Sequence, residues 1–111
     1  MQFLNGLQLT NSQVTISGTT AVSLFSYPTS TLVGGELMIL AEQGSAKMIT
    51  KLLFITDGTA TAITDEYATI TIGTFTDVPT FYASYLSGTC TVFANCPTST
   101  TYKTTYSIVT N

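Results

Sequence analysis

The chain has 111 residues, 44% of them hydrophobic and 8% charged, with three Lys+Arg against six Asp+Glu and a formal net charge of −3. One domain is expected at this length, and so little charge requires apolar surface to be hidden in a core, in a partner or in copies of the chain. Histidine, arginine and tryptophan are absent and the cations are Lys47, Lys51 and Lys103, which excludes nucleic acid binding through a phosphate-backbone stripe, a Ser-His or Cys-His relay, an imidazole metal site and a bidentate arginine clamp.

Threonine supplies 24 residues, and Tyr and Phe supply 6 each. β-Branched and aromatic side chains suit a pleated, half-buried surface, so the class is all-β. Residues 1–11 read as an N-terminal arm in which Phe3, Leu4, Leu7 and Leu9 are apolar and Asn5-Gly6 interrupts any period, and residues 12–111 as a single β domain. The N-terminus has neither a basic region nor a long apolar run, so neither export nor a membrane span is expected.

Alternation at Val14 and Ile16 predicts a first strand over 13–17, Gly18-Thr19-Thr20 a turn, and Val22 and Leu24 a strand over 21–27 that Pro28 ends. Strands follow over 36–41 and 46–56, joined by a turn at Gln43-Gly44-Ser45. Because neighbouring strand residues face opposite ways, Leu37–Leu40 and Leu52–Ile55 are apolar on both faces and should be covered on both, which points to subunits covering one another.

Asp57-Gly58 fits a two-residue hairpin with both central residues at positive φ, pairing Leu52–Thr56 with Thr59–Ile63. Tyr67–Ile72 is a further strand ended by Gly73, then Asp77-Val78-Pro79 a loop, Phe81–Leu86 a strand, Ser87-Gly88 a turn, Cys90–Asn95 a strand, Pro97–Thr101 a polar loop and Tyr102–Val109 the last strand. The whole reads as an antiparallel β-sandwich or barrel of about eight to nine short strands.

Three constellations invite a chemical reading. Cys90 and Cys96 on one strand stand six steps of about 3.3 Å apart, roughly 20 Å, whereas a disulfide needs Cα atoms within about 7 Å. They read as reduced, small buried hydrophobes sharing a face with Val92 and Ala94, and two thiols without histidine make no metal site. Asp65-Glu66 lacks a calcium-loop pattern and belongs to a turn or edge, the other carboxylates lie mostly at turns, and a facing-carboxylate glycosidase is a remote alternative. The tyrosines Tyr27, Tyr67, Tyr82, Tyr85, Tyr102 and Tyr106 either bury their rings with wet hydroxyls or stack on sugar, and Tyr82 and Tyr85 have opposite parity, so they cannot share a platform.

Four segments also carry a likeness: Thr20-x-Val22-x-x-Phe25; Gly35-Glu36-Leu37-Met38-Ile39-Leu40; Leu52-Leu53-Phe54-Ile55-Thr56-Asp57-Gly58-Thr59 with Ile63-Thr64-x-Glu66-Tyr67; and Thr80-Phe81-x-Ala83 with Leu86-Ser87-Gly88 and Pro97. From Thr19 to Val109 the chain resembles small virion proteins and tail-fibre modules of marine and cyanobacterial phages. Such relatives carry a histidine where this chain has Thr56, and alternating arginines where it has Cys90, Val92 and Ala94, a departure that makes this a covered face.

The resemblance implies a β domain of a virion assembled in the bacterial cytoplasm, most simply a capsid decoration (cement) protein, with a tail, neck or fibre component or a glycan-contacting receptor module as the alternative. It implies no enzyme activity and no cofactor. The expected partners are the major capsid protein or other virion proteins and the chain itself, as a homo-oligomer with a trimer favoured, and neither nucleic acid nor membrane. Phe3, Leu4, Leu7, Leu9, Cys90, Val92 and Ala94 are the expected subunit or shell contacts.

Overall fold

In the computed structural model, which describes residues 7–30, 32–59 and 61–110, every regular element is a strand. They are β1 (Leu7–Pro28), β2 (Leu32–Gln43), β3 (Ala46–Thr56), β4 (Ala62–Ile72), β5 (Thr80–Leu86) and β6 (Thr89–Thr110). All pair antiparallel in one six-stranded sheet of order β1-β6-β2-β3-β4, with β5 joined to β6 off that path.

The nine segments expected from the sequence become six because three expected breaks are absorbed into continuous strands, two at one register slip and the third, 64–66, in regular pairing with 52–54. At Gly18-Thr19-Thr20 the register against β6 slips instead of turning, and the residues expected as a polar loop, Pro97–Thr101, stay within β6: 97–99 are the extra residues opposite that slip, and Thr100 and Thr101 pair with Gly18 and Ser17. Proline is tolerated at a bulge because no ladder bond is asked of its nitrogen. In β4 the slip lies between the pairs Ile49↔Ile70 and Lys51↔Tyr67, and Ala68 takes φ +57° there. A third slip in β1, between Ser23 and Phe25, makes Leu24 the unpaired residue, so that adjacent Leu24 and Phe25 are both buried.

The long pair β1/β6 carries the sheet into two layers. Along its other edge β6 meets β5 over Thr89–Asn95 and β2 over its second half, from Thr101 onward. The first half of β6 thus lies with β5 and the second half with β2, β3 and β4, and one core joins them: Phe25 meets Phe54 at 5.3 Å and Phe81 meets Tyr102 at 6.4 Å between ring centroids. The sheet does not close, since β4 pairs only with β3 and β5 only with β6.

Alternation assigns the core. On β2 the inward residues are Leu37, Ile39 and Ala41, on β3 Met48, Thr50, Leu52 and Phe54, and on β6 the even positions from Cys90 to Cys96, then Tyr102 and Ile108. Thr50 is fully buried yet satisfied, with its hydroxyl 2.7 Å from that of Thr69 and 3.2 Å from the Glu66 carboxylate. At Gly35 the neighbours leave no room for a side chain, because a Cβ would stand 2.4 Å from the Ser107 carbonyl oxygen.

The hairpins differ from expectation in an instructive way. The two-residue turn with both residues at positive φ is Ser87 (φ +50°) and Gly88 (φ +79°), joining Leu86↔Thr89. Asp57-Gly58 instead opens a longer loop before β4, and the pair beside it is Thr56↔Ala62. Among the described residues of the loop only Gly58 is positive, and the Asp57 carboxylate accepts the Thr59 and Thr61 amides at 2.9 Å each, so the side chain sets the loop that the backbone was expected to set. Asp57→Ala is expected to cost about 1–2 kcal/mol in urea unfolding; an unchanged midpoint would show that solvent serves those amides equally well.

Candidate interaction surface

The pairing register places the odd residues of β3 beside the even residues of β2 and beyond them β4, all on the face turned away from the core. One row runs Lys103, Leu40, Ile49, Ile70, and the next Thr105, Met38, Lys51, Tyr67. Beyond these come Ser107, Glu36, Leu53, Asp65 and then Val109, Gly34, Ile55, Ile63, and on the other side Thr101, Glu42, Lys47, Ile72. Most of the apolar members are open to solvent, from 39% exposed at Met38 and Ile49 to 70% at Ile72, while Leu40 is half-buried. These are the second faces that the sequence pattern required to be covered, and within this chain nothing described covers them.

Charge on this face is balanced. Lys47, Lys51 and Lys103 lie on it with Glu36, Glu42 and Asp65, whereas Asp57 and Asp77 sit in loops and Glu66 faces inward beneath Thr50. The strands of the face carry three charges of each sign, and the excess of −3 rests on Asp57 at its rim and on Glu66 and Asp77 away from it. Glu42 is clamped between Lys47 and, at 3.6 Å, Lys103, and the hydrogen bond from Lys47 holds its carboxyl below the usual range. Tyr67 donates its hydroxyl to the Glu36 carboxylate across β3, an acceptor that pushes the phenol pKa up.

This surface suits a flat partner. A hollow of about 160 Å³ lies between Met38, Leu40, Ile49 and Lys103, and another of about 240 Å³ between Ile55, Asp57 and Ile63. Both fall below the roughly 300 Å³ at which small-molecule pockets begin. Among the described residues no group of three or more metal-ligating side chains assembles.

The residues singled out from the sequence are placed differently. Cys90, Val92 and Ala94 are 0% exposed on the inner face of β6, which corrects their assignment as subunit or shell contacts: the bend of β6 brings the sheet over them, so this chain covers that face itself. Both cysteines are free and buried, and burial pushes the Cys90 thiol pKa up, away from reactivity. Phe3 and Leu4 lie outside the described residues. Leu7 and Leu9 belong to β1, where their backbones pair with Val109 and Ser107.

Of the tyrosines, Tyr82 is exposed on the outer face of the second layer, stacked on Phe93 at 5.1 Å, while Tyr85 lies on the opposite, half-buried face. Tyr102 is 0% exposed in the core, where burial raises its pKa, so it forms no platform with Tyr82.

One residue escaped the sequence reading. Gln43, taken only as part of a turn, donates from Nε2 to the Asp77 carbonyl at 2.7 Å and to the Thr100 hydroxyl at 2.9 Å, and its Oε1 accepts the Thr76 amide at 3.0 Å. It pins the 73–79 segment to β6 beside the Pro97 bulge, with Thr98 donating to the Asp77 carboxylate. No local pattern announces such a residue, because its partners are 33 to 57 positions away.

No protein-family model and no curated protein matches the chain. Among solved structures it is similar to the tailspike protein of Acinetobacter phage vB_ApiP_P1, with 16% identity and a TM-score of 0.41. That likeness covers 100% of this chain and 22% of the tailspike, so the chain spans about a fifth of that protein's length.

Proposed function

We propose that this chain is a structural protein of a phage virion in whose assembly the outer face of β2, β3 and β4 is buried, and that its place is on the capsid as a decoration protein. The observation that carries this reading is the face itself: a sheet surface on which Leu53, Ile55, Ile63, Ile70 and Ile72 stand exposed, with charges of both signs interspersed among them. A patch of this kind on a soluble domain marks a contact with another protein. The phage setting comes from the sequence resemblance, and the lack of histidine and arginine agrees with a role without chemistry. Major capsid protein or another virion protein, together with further copies of the chain, are the partners, without cofactor or nucleic acid.

A tail, neck or fibre location is the second reading, and one feature favours it. Tyr82 and Phe93 stack on the outer face of the other layer, with Ser23 beside Phe93 and Ser84 and Thr91 in the next row, a surface on which a sugar ring can lie. Immunogold labelling of purified virions tests both. Label over the heads supports decoration, label on the tail together with glycan binding lost in Tyr82→Ala supports the second reading, and absence of the protein from purified particles overturns both.

A further inference from the structure

We infer that the occupant of the β2–β3–β4 outer face is a second copy of this chain, packed face to face about a two-fold axis. The inference takes from the proposed function only that this face is buried in an assembly.

Size supports a protein partner of this kind. Four strands about 4.8 Å apart carrying five rows about 6.7 Å apart make a surface of roughly 600 Å² before side-chain relief is counted. That approaches the about 800 Å² per partner of a stable interface.

Charge selects a copy. The excess charge rests on Asp57 at the rim and on Glu66 and Asp77 away from the face, so contacts between the acidic surfaces of two copies are opposed, whereas the strands of this face are neutral and carry both signs. An isologous contact requires a surface complementary to itself. A two-fold axis parallel to the strands between β2 and β3 provides it: Glu42 comes opposite Lys47 of the second copy, Leu40 opposite Ile49, and Val109 opposite Ile63, because these are equivalent rows on either side of that line. The free cation Lys51, for which no ion pair forms within the described residues, then lies within the joint and reaches the carboxylates of the second copy.

Sedimentation of the purified full chain at micromolar concentration tests this. The wild type is expected to sediment as a dimer, and Ile49→Asp or Ile70→Asp to weaken association by about a hundredfold or more while keeping the β circular dichroism spectrum. Leu86→Asp is the control, since Leu86 is 74% exposed on the other layer and its replacement should leave the dimer intact. A monomeric wild type, a trimer, or a Leu86→Asp variant dissociated as strongly as Ile49→Asp would overturn the two-fold contact. A monomer that still labels purified virions would overturn self-docking alone, and a dimer absent from virions would overturn only the proposed function.

Discussion

Leu37→Ala is expected to lower the unfolding free energy by about 2–5 kcal/mol, whereas Leu53→Ala, on the adjacent strand, should change it by less than about 1 kcal/mol. The two side chains are chemically identical and differ only in face. Leu37 is 0% exposed between β3 and β6, where truncation removes contacts and leaves a cavity that rigid neighbours refill poorly; Leu53 is 46% exposed on the outer face. Urea denaturation at high dilution, where association is negligible, measures both. Comparable losses would mean that both faces are closed in the isolated chain, and the exposed surface on which assembly rests would not exist. Repeated at high concentration, Leu53→Ala should lose stability relative to wild type, because a dimer makes the same side chain interior.

Gln43→Ala is expected to cost about 2–3 kcal/mol and to release amide protection selectively across residues 73–79. The amide is a central tie between that segment and the bend of β6, and its removal leaves the Asp77 carbonyl without this partner in a half-buried place and the exposed Thr76 amide to solvent. Gln43→Glu should be at least as harmful. A carboxylate still accepts from Thr76 but cannot donate to the Asp77 carbonyl or the Thr100 hydroxyl, and it adds a negative charge near the Asp77 carboxylate that Thr98 now holds. Hydrogen exchange by mass spectrometry reads the result by segment. Uniform loss of protection, or none, would show that the layers are held by apolar packing alone.

The all-β class, the antiparallel architecture and the period-two alternation along β2, β3 and β6 were legible in the sequence, because they depend on alternation and β-branched composition within a few residues. The doubled apolar runs at Leu37–Leu40 and Leu52–Ile55 announced a surface in need of cover, and the inner members are the buried ones while Met38, Leu53 and Ile55 stand open. Opposite parity of Tyr82 and Tyr85 separated an exposed ring from a half-buried one for the same reason.

Tertiary structure alone decided where strands end, which face is free, and which polar residue ties the layers. Gly18-Thr19-Thr20 and Pro97–Thr101 look like turns in isolation, yet pairing along β1 and β6 absorbs them as bulges, since continued ladders on either side outweigh a local irregularity. Cys90, Val92 and Ala94 alternate as any amphipathic strand does, and nothing in that alternation says whether the cover is a partner or the same chain folded over. Asp57-Gly58 carries hairpin chemistry, but the pairing of β3 with β4 sets the loop length and turns Asp57 into its side-chain brace. Gln43 gathers its partners only when distant segments meet, because hydrogen bonds of one side chain to three remote groups leave no periodic trace in a sequence.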